Sequence, residues 1–350
     1  MAFKSPELKS APYQLCDWAE LKALSSPSGK FRLSSLERLW DISRQTEDSD
    51  PEGRFRAEDD TDVEGVAGGD SNAFLDSLIS EIDARSQALG DCYPFRFAAG
   101  GVTLEVVGPP NMGGYVYIFC LLLTHSNNKD ILDGSWAPDV TFQVRDLFQA
   151  CATVAAAAHV HGCAISFGWP RPNENPQFLK RLKSAYAIFG EGTVVKKPRP
   201  GVSPSPKDEE IDVIAWKPTH DRSPGTTYLL GQVASGGNWM AKSVKGPPID
   251  SFHRNWFEPP PPSEPSASMF IPHSVPPVSL HGTRRERLDV LVATYGIIFD
   301  RYRLPRLADD GIRLANSTNG KLLIERVDDL HDVATWVNTE LHALHSVKHA

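Results

Sequence analysis

The chain has 350 residues, 41% of them hydrophobic and 23% charged, the make-up of a folded globular protein with room for two domains, or one with large additions. No apolar run approaches the roughly 18 residues of a membrane-spanning helix, and the first residues, Met-Ala-Phe-Lys-Ser-Pro, lack the apolar stretch of a secretion signal. The net charge of −8 argues against an all-over polyanion-binding surface, but 13 acids and 2 bases lie between Thr46 and Asp83, so the rest of the chain carries +3.

In chain order, the pattern predicts a helix from Ser34 or Ser35 to about Arg44, carrying Leu36, Leu39 and Trp40. Residues 46–70 are acidic and glycine-rich, have little to bury, and read as a loop without stable structure. Ser71 is a good N-cap for a helix from Asn72 to about Ala88 with Phe74, Leu75, Leu78, Ile79 and Ile82 on one face. Strands are expected at Phe95–Ala98, Val102–Val107 and Tyr115–Leu123, with turns at the intervening glycines. A helix over Thr141–His161 stops at Gly162, its alanine-rich end apolar on every side, and a strand follows at Cys163–Gly168. Asn175 and Pro176 mark the start of a helix that Gly190 ends, with Phe178, Leu179, Leu182, Tyr186 and Phe189 inward and Lys180, Arg181 and Lys183 largely outward. A proline-rich basic connection over residues 196–207, which includes Lys196 and Lys197, leads to strands at Ile211–Trp216 and Thr227–Val233. A short helix after Gly236-Gly237, a strand at Met269–His273 and two amphipathic helices, about Arg284–Tyr302 and Val327–His345, complete the chain. The organisation read from this is residues 1–70, 71–170, 171–280 and 281–350.

The five cysteines contain no Cys-x-x-Cys pair, and their odd number gives no disulfide framework, so reduced thiols in a cytoplasmic protein are expected. Gly231 and Gly236 have P-loop spacing, but Gly237 and Asn238 stand where the loop needs Lys and Ser or Thr, which removes the phosphate-gripping ammonium and argues against nucleotide hydrolysis. His159-x-His161-x-Cys163 sits where a helix runs into a strand and reads as capping and packing. His342, His345 and His349 fall on one helical face, where positive charge at a helix C-terminus is favourable anyway, and Arg284, Arg285, Arg287, Arg301, Arg303 and Arg306 cluster at the ends of one predicted helix, where they form either phosphate contacts or a solvated basic face.

From Asn175 to Ser274 the elements run helix, short strand, strand, strand, helix, strand. That order, with Asp212 in Glu-Glu-Ile-Asp-Val-Ile-Ala-Trp and Gln232 in Tyr-Leu-Leu-Gly-Gln-Val-Ala-Ser-Gly, resembles the core of the PD-(D/E)xK superfamily of restriction-endonuclease-like nucleases. The phrase Leu230–Trp239 followed by Lys242 also looks like a signature of bacterial defence proteins of that superfamily. The resemblance implies an α/β fold whose central mixed sheet is flanked by helices, with an N-terminal α/β extension and C-terminal helices. It also implies metal-dependent DNA cleavage in antiphage defence, with DNA and other defence-system proteins as partners. Asp212 would bridge Mg²⁺ or Mn²⁺, assisted by the Gln232 side-chain oxygen, the Val233 carbonyl and Glu191 at the end of the first helix. Lys180, Arg181, Lys183, Lys196 and Lys197 would hold the phosphate backbone. The sequence departs from the pattern at Ala234, where the superfamily has Lys; the nearest replacement is Lys242, ten residues past Gln232. The missing Lys leaves open a second reading, a non-catalytic nucleic-acid-binding or scaffold subunit that keeps the nuclease fold.

Overall fold

The computed structural model describes residues 3–4, 11–36, 71–98, 102–128, 131–132, 137–169, 177–203, 206, 209–277 and 282–347. The acidic segment 46–70, most of the helix expected before it, the Asn175-Pro176 start signal and His349 lie outside them. A five-stranded mixed sheet dominates: β4 (Cys163–Ser166), β5 (Val213–Trp216), β6 (Tyr228–Val233), β7 (Pro265–Phe270) and β8 (Ile297–Phe299), adjacent in that order. β4, β5 and β6 pair antiparallel, whereas β7 and β8 continue parallel to β6. A smaller antiparallel sheet, order β1-β3-β2, joins β1 (Lys30–Arg32), β2 (Phe95–Phe97) and β3 (Thr103–Val106).

Helices cover both faces of the main sheet. On one face lies α4 (Phe142–Val160), capped by the Thr141 hydroxyl, which accepts from Val144 N at 3.3 Å, and ended by His161 in the left-handed region at φ 51°. Its alanine-rich turns allow close approach, and residues 150–157 are all buried. Against α4 pack α8 (Leu304–Thr318) and α9 (Leu330–Val347), and with them α1 (Pro12–Ser25), α2 (Ser71–Leu89) and α3 (Met112–Asn128) share one apolar core with Val213, Ala215, Leu229 and Phe270 of the sheet. The other face carries α5 (Phe178–Phe189) and α6 (Pro247–Trp256), packed on Ile214, Trp216, Tyr228 and Leu230. Aromatic contacts dominate there: Phe178 and Trp256 have centroids 4.5 Å apart, Phe167 and Phe178 5.3 Å, each such pair contributing about 0.5–1.5 kcal/mol beyond its area. A third cluster, with Ala234, Met269, Ile298 and Leu288, seats α7 (Arg284–Tyr295).

Three expectations are overturned. The apolar run predicted as a strand at Tyr115–Leu123 is the centre of α3, a helix buried on all sides from Val116 to Leu123, so its sequence lacks helical periodicity. The single helix predicted over Arg284–Tyr302 ends at Tyr295, because Gly296 takes φ 78° with its backbone pressed on the Ala267 carbonyl, and β8 follows. The helix expected after Gly236-Gly237 is one 3₁₀ turn, Trp239–Ala241.

Candidate functional site

Asp212 enters β5 at an irregular point. Phe167 N and Gly168 N both donate to its carbonyl, at 2.7 and 3.0 Å, two residues against one, which is the pattern of a β-bulge. Its carboxylate Oδ2 accepts from Val233 N at 2.8 Å. Oδ1 stands beside Gly168, where a Cβ would collide with it and would also lie 2.7 Å from Gln149 Nε2. Gln149 belongs to α4 and donates to Ser166 Oγ at 2.8 Å, so the Asp212 carboxylate sits with α4 residues.

Gln232 sits on the strand beside Asp212 but faces the other way. Leu229 and Val233 of β6 pack with the α4 core, while Tyr228 and Leu230 pack with α5 and α6. Strand alternation therefore sends Gln232 away from α4, next to Ala234 of the α7 cluster. Its Oε1 is buried without a hydrogen-bond partner. On the α4 face of β6 stand Gly231 and Val233, whose side chains carry no donor or acceptor.

Glu191 is not at this end of the sheet. Its carboxylate accepts from Gly225 N (3.0 Å), Ser263 N (3.1 Å) and Ser263 Oγ (2.9 Å), tying the β5–β6 connection to the start of β7. Gly225 precedes Tyr228, and about 3.3 Å per residue along β6 separates that end from Gln232 by more than 10 Å. Lys242 is the exposed residue closing the 3₁₀ turn, not a helical residue aimed at the strand end. Its neighbours dock on the last carbonyls of α7: Ser243 Oγ donates to Thr294 O at 3.0 Å and Lys245 Nζ to Ala293 O at 2.8 Å. The quartet of Asp212, Gln232, Glu191 and Lys242 is thus spread over two sheet faces, two strand ends and a surface turn.

The basic residues divide. Arg181 is buried and paired with Glu325, and it also donates to Ser166 O at 2.9 Å, which corrects its assignment as a phosphate contact. Lys180, Lys183, Lys196 and Lys197 are exposed, and Lys183 Nζ donates to Lys196 O at 3.0 Å, so α5 and the following segment present their ammonium groups together. Between Gln177 and Ser203 stand six bases and one acid, Glu191, which is turned inward. Of the C-terminal arginines, Arg284 pairs with Asp300 at 2.6 Å and Arg303 donates to Ile298 O at 2.9 Å. His159 packs edge-on to Phe299 and His345 bonds Leu24 O, as structural histidines do.

Among the described residues an extended buried polar cluster lies elsewhere, without a local signal in the sequence. Asp17 of α1 accepts from Arg85 Nη1 (2.6 Å) and Arg301 Nη2 (2.5 and 2.6 Å) and lies 2.8 Å from His125 Nε2. Glu20 accepts from Arg85 Nη1 at 3.0 Å, from Tyr93 OH at 2.7 Å and from Tyr117 OH at 2.8 Å. Burial alone would raise the Asp17 carboxyl, but Arg301, Arg85 and His125 outweigh it and hold it well below the usual range. Beside it, burial chiefly pushes His273 down to about 4. Arg301 and His273 follow the carboxyl ends of β8 and β7, so the cluster binds the N-terminal helices to that edge of the sheet.

Among the described residues no group of three or more His, Cys, Asp or Glu is placed to hold a metal ion, and no helix is long and apolar enough to cross a membrane. No family model, curated protein or solved structure matches this chain.

Proposed function

We propose that the chain is a non-catalytic nucleic-acid-binding or scaffold protein built on a restriction-endonuclease-like sheet. The order α4, β4, α5, β5, β6, α6, β7 supports the fold half of this reading: with α5 taken as an insertion between β4 and β5, it is a helix, three antiparallel strands, a helix, and a strand parallel to the third. That order starts at α4, one helix earlier than the sequence pattern suggests, and leaves Gln149 beside Asp212 in the place of a helix acid.

One observation carries the loss of chemistry. The Asp212 carboxylate is engaged by the Val233 amide on the α4 side, while Gln232 is directed to the opposite face. Mg²⁺ needs several hard oxygens converging on one point at about 2.1 Å, and a divided set of this kind does not fit it. Asp212 is better suited to holding β5, β6 and the β4 bulge in register. The exposed lysines of α5 and residues 196–197 supply the binding half, since clustered ammonium groups attract phosphates independently of sequence. The setting in antiphage defence rests on the resemblance of the Leu230–Trp239 phrase.

Purified protein incubated with DNA and Mg²⁺ or Mn²⁺ tests this reading. It should retain labelled DNA at low salt and leave it intact, and Lys180→Glu with Lys183→Glu should release it. Metal-dependent cleavage that vanishes in Asp212→Ala would instead establish the endonuclease.

A further inference from the structure

We propose that the open edge of β1 is a docking site for an extended acidic segment of a partner protein, which adds to the small sheet as a fourth, antiparallel strand. The surface involves none of the α5 lysines and does not depend on the nucleic-acid reading.

The edges of the main sheet are closed. On β4, Ala164 N donates to Leu323 O at 2.9 Å, and the Ala164 carbonyl accepts from Glu325 N at 3.1 Å. On β8, the Ile298 carbonyl accepts from Arg303 Nη1 at 2.9 Å. The small sheet differs. Val106 N donates to Gly29 O at 2.8 Å and Leu33 N to Val102 O at 2.9 Å. In that register Phe31 bonds to β3, and the N–H and C=O groups of Lys30 and Arg32 point away from it. Both residues are exposed, and among the described residues nothing bonds to those four groups. The opposite edge, on β2, is less accessible, since that strand starts at Phe95, which is 2% exposed.

The side chains select the occupant. Lys30 and Arg32 stand two residues apart on the solvent face, while Phe31 turns the other way and meets the Trp18 ring edge-on at 5.3 Å. The acid on the solvent face, Glu105, is already shared by Lys30 at 3.2 Å and Arg96 at 2.7 Å. Arg32, opposite Thr103, is in no ion pair among the described residues. A second copy of β1 would set cation against cation, so self-pairing is disfavoured. A strand with acids two residues apart instead places one opposite each cation, and an apolar β-branched residue between them lies beside Phe31. Main-chain bonds to the open edge supply the attraction, and the alternation acid, apolar, acid supplies the choice of partner.

The experiment uses the full chain at low salt with a labelled peptide, Thr-Val-Glu-Val-Glu-Val-Thr, and a control of the same composition with its two glutamates adjacent. The alternating peptide should bind and the control should bind much more weakly. Methylating the amide nitrogen of either glutamate, which faces the edge in an antiparallel pairing, should abolish binding, whereas methylating that of the central valine, which faces away, should be tolerated. Arg32→Glu should weaken the alternating peptide roughly tenfold, the scale of turning a cross-strand attraction into a repulsion, with thermal melting unchanged. Equal affinity for the two peptides, or indifference to methylation, would reduce the contact to charge alone and overturn the strand addition. Wild-type dimers that Arg32→Glu alters would give the edge to a second copy and overturn it as well. Failure of the alternating peptide to bind even at millimolar concentration would also overturn it.

Discussion

Replacing Asp17 by Asn keeps the side-chain shape and removes the charge at the centre of the buried cluster. Asp17 is 2% exposed and receives Arg301 twice and Arg85 once, with His125 Nε2 at 2.8 Å. Arg85 and Arg301 are themselves fully buried. After the substitution Arg85 still has Glu20 at 3.0 Å, but Arg301 keeps only Ser274 Oγ, at 2.7 Å, and the new amide N–H groups face donors. Removing one member of a buried ion pair costs about 3–5 kcal/mol, mostly through the charge left behind. With about 2.1 cal/mol/K per residue of unfolding entropy, that loss lowers the melting temperature of a chain this size by roughly 4–7 °C. Thermal melts and urea titrations followed by tryptophan emission measure it. A cycle with Arg301→Met separates the pair from its surroundings, and the double variant should lose less than the sum of the singles by about 0.5–3 kcal/mol. A loss below about 1 kcal/mol for Asp17→Asn would mean that water reaches these charges, and the burial argument would fail.

Two further outcomes are expected. His273 is neutral in the fold, because burial holds its pKa near 4, while in the unfolded chain it titrates near the ordinary 6.5. The unfolded chain therefore takes up a proton that the fold refuses, so stability is complete above about pH 6.5 and falls by roughly 3 kcal/mol as the pH drops to 4. His159 and His253 are also pushed down by burial and act in the same direction, so the readout is the flatter pH dependence of His273→Gln against wild type; parallel curves would refute it. Glu191→Ala strands the Ser263 amide and leaves Gly225 N only the Ser263 hydroxyl at 3.2 Å, and should cost about 1–3 kcal/mol, with faster proteolysis in the β5–β6 connection and unchanged nucleic-acid retention. Undiminished stability would refute the structural role of Glu191.

Three strands of the main sheet are legible because their signals are local, whereas the sequence pattern places β7 several residues too late and β8 inside a helix. β4, β5 and β6 each alternate or run apolar between turn residues, Thr141 and Gly162 frame α4, and Thr283 with Glu286 forms the capping box that starts α7. α1 escapes the reading because its inward face carries Asp17 and Glu20, whose partners Arg85 and Arg301 lie far along the chain. α3 escapes it because a helix wrapped on all sides has no polar face to mark its period. For the candidate site, spacing sets Asp212 and Gln232 on neighbouring strands but does not fix the face. A bulge at Phe167-Gly168 turns the Asp212 carboxylate toward α4, and no residue type in that stretch announces it. Glu191 looked catalytic because carboxylates at helix ends serve equally well to gather backbone amides.

The link between Asp17 and Arg301 also bears on the timing of synthesis. The two residues are 284 positions apart, so the first helix leaves the ribosome long before the second of its two guanidinium partners exists. At about 5–20 residues per second the wait is some tens of seconds. Through that interval the two carboxylates of α1, Asp17 and Glu20, have one guanidinium between them, that of Arg85 in α2, and the excess negative charge resists leaving water. Complete burial of the N-terminal layer is thereby disfavoured until Arg301 is made. The cluster acts as a late latch, closing the N-terminal layer on the sheet only after β8 has been made.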